Sequence, residues 1–136
     1  MALIVPDAVE VIVLNFLLNT PLTLRVYGND KTPAHGDSTS GYTEIAGGGY
    51  ASKPLIFANW TITPGEPSVA VYSPSQAWTF TGVINSPGTI YGYYVTRNSD
   101  NQLMWAERFP SILLPFSPIE GSVIKVLVRF LCQSLF

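Results

Sequence analysis

The 136-residue chain is expected to be mostly β, an antiparallel sandwich or barrel of jelly-roll type, with a short N-terminal helix added. Three observations predict this. Short apolar or alternating segments recur along the chain. Pro, Gly, Asn and Asp punctuate them, and aromatic and β-branched residues crowd inside them. The length fits one domain spanning 1–136, with apolar segments extended at both ends.

The first element is the least determined. Pro6, Asp7 and Glu10 before an apolar run, with Asn19 after it, punctuate a helix. Valine and isoleucine at 9, 11, 12 and 13 argue for a buried strand. Either way the stretch reads as core. It lacks a basic leader and a small-residue cleavage site, and Pro6, Asp7 and Glu10 keep it far below the ~20 apolar residues that span a bilayer.

After Pro21 the pattern is cleaner. Leu22, Leu24 and Val26 alternate with Thr23, Arg25 and Tyr27, the signature of a half-buried strand. Gly28-Asn29-Asp30 ends it, and a polar loop runs from Lys31 to Gly41. Further strand-like segments follow at 55–62, 68–72, 77–83, 89–97, 102–109 and 122–131. In the last of these, Val123, Lys125, Leu127 and Arg129 share one face, and Ile124, Val126, Val128 and Phe130 share the other.

Gly47-Gly48-Gly49 lies between Tyr42 and Tyr50. A phosphate loop requires a Lys-Ser/Thr pair after its glycines and a helix facing the anion. Here Tyr50-Ala51-Ser52-Lys53-Pro54 follows, and Pro54 biases Lys53 toward extended backbone. The run therefore reads as a bend where another segment approaches closely, covered by the two tyrosines.

Composition excludes several classes. Charged residues make up 12% of the chain, about half the usual ~25%, so part of the surface is expected to meet something other than water. The seven basic residues form no run and net charge is −2, which leaves no footprint for nucleic acid. The single cysteine, Cys132, builds neither a disulfide framework nor a zinc site. His35 stands in a polar loop with no nucleophile elbow nearby. Asp30, Asp37 and Glu44 lack calcium-loop spacing, and nothing in the spacing pairs Glu44 with Glu107 as a hydrolase would require. Trp60, Trp78, Trp105, Tyr91, Tyr93 and Tyr94 read as core or interface before they read as a sugar platform.

Several pieces, in order from residue 14 to residue 130, resemble a family of small tailed-phage virion proteins. They are LNFLLNTPLTLRVYGNDKTP (14–33), GYTEIAGGGYASKPL (41–55), the Trp60 strand, WTFTG (78–82), IYGYYVTR (90–97), LMWAERFP (103–110) and VIKVLVRF (123–130). One departure is Ile119-Glu120-Gly121-Ser122, where the family often has Asn-Gly-Asp; a turn still fits, but any contact made by that aspartate would be lost. The resemblance implies a capsid cement (decoration) protein on the capsid surface of the virion, assembled in the host cytoplasm. It implies a homotrimer on the major capsid protein, with no membrane or nucleic-acid partner, no cofactor and no catalytic residue. The expected contacts are Leu3 and Val5, Pro33 and His35, and the terminal Leu131, Leu135 and Phe136. The alternatives are a tail or fibre component that binds host glycan through Trp60, Trp78 and Tyr94, and a small sandwich-type carbohydrate-active enzyme using Glu44 and Glu107.

Overall fold

The computed structural model describes residues 4–132. The chain is mostly β, with antiparallel sheets and one N-terminal helix, and none of the sheets closes into a barrel among the described residues. Two compact units share the chain: residues 4–21, 55–76 and 126–132 form one, and residues 22–54 and 77–125 form the other.

The first unit holds the helix α1 (Asp7–Leu18) and a sheet of β3 (Trp60–Thr63), β4 (Ser68–Tyr72) and β9 (Arg129–Cys132), in the order β3-β4-β9. Pro6 caps α1 in extended backbone, and its carbonyl accepts from the amides of Val9 and Glu10. Asp7 and Glu10 lie in the positive first turn. The capping signals therefore outweigh the β-branched residues, and the segment is a helix.

Glu10, Leu14 and Leu18, four residues apart, are buried as α1 packs on β3 and β4. The expectation that the whole stretch is core fails at Val9, Ile12, Val13 and Phe16, which are exposed. A helix lays one stripe against one sheet, so its other apolar stripe is left outward. No helix among the described residues is long and apolar enough to cross a membrane. Within the sheet, Trp60 pairs with Tyr72, and their rings meet edge-on at 5.1 Å.

The second unit is built on β1 (Leu22–Tyr27), β2 (Lys53–Leu55), β6 (Gly92–Arg97) and β7 (Leu103–Arg108), in the order β2-β1-β6-β7. Leu22, Leu24 and Val26 are buried, as their alternation requires. Strand β6 lies between β1 and β7 and is buried from Gly92 to Thr96, which accounts for its unbroken run of tyrosine and valine. A bulge at Val95/Thr96 shifts the β6–β7 register. A separate ribbon pairs β5 (Gln76–Thr79) with β8 (Val123–Val126).

The alternating faces expected at the C-terminal end are present, with Val126 and Val128 buried and Val123, Lys125, Leu127 and Arg129 exposed. The single strand expected there is two, because β8 pairs with β5 whereas β9 pairs with β4. Segment 55–62 is likewise divided: β2 ends at Leu55, and a 3-10 turn, Phe57–Asn59, precedes β3.

Candidate functional site

The glycine run is a pivot. All three glycines have positive φ, with Gly48 at +60°. The Gly48 carbonyl accepts from the Thr81 amide at 2.9 Å, and the Ala46 carbonyl accepts from the Asn85 amide at 2.7 Å. A Cβ on Gly48 would stand 2.7 Å from the Gly82 carbonyl oxygen, so the 81–85 segment lies where only glycine leaves room. The backbone here turns its groups to a neighbouring segment instead of a phosphate.

The flanking tyrosines do other work. The Tyr50 hydroxyl donates to Glu44 Oε2 at 2.7 Å and accepts from the Val26 amide at 3.0 Å, while its ring stacks on Trp78. Tyr42 joins a cluster with Tyr27 and Tyr94, at ring separations of 5.0 and 5.3 Å. Burial pushes the Tyr27 and Tyr94 phenols up to about 12. Burial first, and then hydrogen bonds to Asp37 and Glu44, push Tyr42 and Tyr50 above the usual phenol range. These phenols stay protonated at neutral pH and cannot serve as bases.

Beside the cluster, Arg25, Thr39, Ser40, Tyr42, Glu44, Tyr94, Asn98 and Asn101 line an open hollow of about 680 Å3. Its one carboxylate, Glu44, is occupied by Arg25 Nη1 at 2.9 Å as well as by Tyr50. The register places Arg25 opposite Tyr94 and Ala106, but Glu107 opposite Tyr93. Glu44, bound to Arg25, and Glu107 therefore fall on opposite faces of the sheet and do not converge on a substrate.

The polar loop after β1 is tied at several points. Asp37 accepts from Lys31 Nζ at 2.7 Å, the Tyr42 hydroxyl at 2.7 Å and the Ala34 amide at 2.8 Å. The bond from Lys31, followed by those from Tyr42 and Ala34, holds its carboxyl down at about 2. Asp30 pairs with Arg108 at 2.7 Å. Asp30, Asp37 and Glu44 thus each have a cationic partner, and no group of three His, Cys, Asp or Glu side chains among the described residues could hold a metal.

Of the expected contact residues, Pro33 is half-buried and His35 exposed in this loop; Val5 is half-buried ahead of α1 and Leu131 is exposed on β9. Leu3, Leu135 and Phe136 lie outside the described residues. Trp60, Trp78 and Tyr94 are buried, and the Trp78 indole donates to the Ala51 carbonyl at 2.7 Å, so these rings lack the open face a sugar platform needs.

Two apolar features escaped the sequence reading. The outward stripe of α1 exposes Ile12 at 64% and Phe16 at 79%. In the second unit, Phe109, Leu113, Phe116, Val123, Ile124 and Lys125 line a pocket of about 210 Å3. The stripe is legible as 9, 12, 13 and 16 once the segment is known to be helical, but apolar residues on the buried side hide its period. The pocket joins residues distant in sequence and has no local signal. No protein family, curated protein or solved structure matches the chain.

Proposed function

We propose that the chain is a structural protein of a tailed-phage virion: a capsid cement protein that binds the major capsid protein as a homotrimer on the capsid surface. The observation that carries this reading is the exposure of large apolar side chains on both units, including Ile12 and Phe16 on one and Val83, Leu113 and Ile119 on the other, in a chain with few charges. Contiguous apolar surface marks protein contacts, and Val9, Ile12, Val13 and Phe16 share one exposed stripe of α1. The resemblance of the sequence to small virion proteins supports the same reading.

The mechanism is burial. Each Å2 of apolar surface covered at a junction between capsid subunits contributes ~25 cal/mol before association costs are subtracted. A cement protein joins neighbouring capsomers through several such contacts at once, and each opposes the separation that internal DNA pressure promotes. The ties across the loop from Asp30 to Tyr42 present Pro33 and His35 on ordered backbone, which lowers the entropy lost when they dock.

Immunogold labelling of intact particles with antibody against the purified chain tests the proposal. Gold over the shell is the expected result. Gold confined to the tail would transfer the chain to the tail or fibre class, and unlabelled particles would remove it from the virion surface.

A further inference from the structure

We infer that two copies of this chain join head to tail, with Phe16 on α1 of one copy seated in the pocket formed by Phe109, Leu113, Phe116, Val123, Ile124 and Lys125 of the next. Three features fit one surface to the other. The first is size. Phe16 is 79% exposed, and a cavity of ~150 Å3 is known to hold benzene, so a pocket of about 210 Å3 has room for its ring. The second is polarity. The pocket is apolar apart from Lys125, and its rim residues Leu113 and Val123 are 57% and 49% exposed, ready to cover Ile12 one turn before Phe16.

The third feature is charge. Phe16 lies in the last turn of α1, which carries no basic residue to balance the negative end of the helix dipole. Lys125 is exposed and has no ion-pair partner among the described residues. With Phe16 seated, the Lys125 ammonium meets the C-terminal carbonyls of the incoming helix.

A protruding side chain and a pocket are different surfaces, so the contact is heterologous, and such contacts close into rings when the rotation allows. This deepens the proposed subunit role by naming how copies meet. Its test uses the free protein, so failure here would leave shell binding untouched.

In a Cys132→Ser background that keeps Phe16, Ile12→Cys and Leu113→Cys are prepared as separate variants, both at exposed positions, with folding checked by circular dichroism. Under mild oxidation the equal mixture is expected to give a disulfide-linked dimer, while each variant alone stays uncrosslinked. Ile119→Cys, exposed on the same unit outside the pocket lining, measures collisional background. Dimers from Ile12→Cys alone would overturn the inference in favour of helix-to-helix pairing. A mixed yield no higher than the Ile119→Cys control would also overturn it. Independently, Phe16→Ala is expected to weaken self-association by roughly tenfold to a hundredfold, as loss of a buried aromatic side chain does. Unchanged self-association would refute the role of Phe16.

Discussion

Replacing Gly48 with alanine tests the pivot directly. At φ +60° a Cβ costs about 1–2 kcal/mol, because it crowds the following carbonyl. That Cβ would also stand 2.7 Å from the Gly82 carbonyl oxygen and 3.2 Å from Ile84 Cγ2. Relieving such a contact against backbone costs a further ~1–3 kcal/mol. Alanine narrows the unfolded ensemble and returns about 0.4–1 kcal/mol. The net expectation is a loss of about 1–4.5 kcal/mol. Gly88 supplies the comparison: its φ is +81° but a Cβ there meets nothing within 4 Å, so Gly88→Ala carries strain alone and should cost about 1 kcal/mol. Gly36 has neither feature, and Gly36→Ala should be neutral or stabilising by about 0.5 kcal/mol. Urea denaturation followed by tryptophan fluorescence, compared at unchanged m-value, measures all three. A Gly48→Ala loss below about 0.5 kcal/mol, or equal losses at Gly48 and Gly88, would refute the close-approach argument.

Two further perturbations address buried and tied carboxylates. The Asp37 carboxyl is held at about 2, below its ordinary 3.8, so its stabilisation is fully present above 3.8 and is lost as pH falls through about 2. Asp100, held down by Arg97, titrates in the same window, so the measurement is the urea midpoint of Asp37→Asn against the parent between pH 4 and pH 2. The parent should fall more steeply, and parallel curves would remove Asp37 from the account. In the first unit, Ser68 Oγ donates to Glu10 Oε2 at 2.6 Å, while Glu10 Oε1 is buried without a hydrogen-bond partner among the described residues. Ser68→Ala should cost about 1–3 kcal/mol in the parent but under ~1 kcal/mol beside Glu10→Met; equal costs across this double-mutant cycle would show that the two side chains are not coupled.

Much of the fold was legible because β alternation is local. Leu22, Leu24 and Val26 are buried as their period requires, and Val126 and Val128 follow suit at the other end of the chain. The sequence does not reveal that residues 123–132 serve two sheets, since alternation is the same whichever partner strand a segment meets. The helix was ambiguous for a related reason: a segment apolar on both stripes has no period to read, and Pro6 with the first-turn acids supplied the decisive signal. The tyrosines beside the glycines were expected to cover the bend. Instead, Tyr42 reaches Asp37 and Tyr50 reaches Glu44 and Val26, because a buried phenol goes where its hydroxyl finds a partner.

From its sequence alone this protein was committed to a β-rich fold, to a glycine pivot, and to a surface short of charge. These follow from backbone sterics and composition, which act within a few residues. Tertiary structure alone decided that Glu44 and Glu107 lie on opposite faces, that Trp60 and Trp78 are buried, and that Phe16 points outward while a pocket opens beside Lys125. Those outcomes depend on which strands pair and which stripe of a helix is covered. Both are set by contacts between residues far apart in the chain, where no local pattern carries the information.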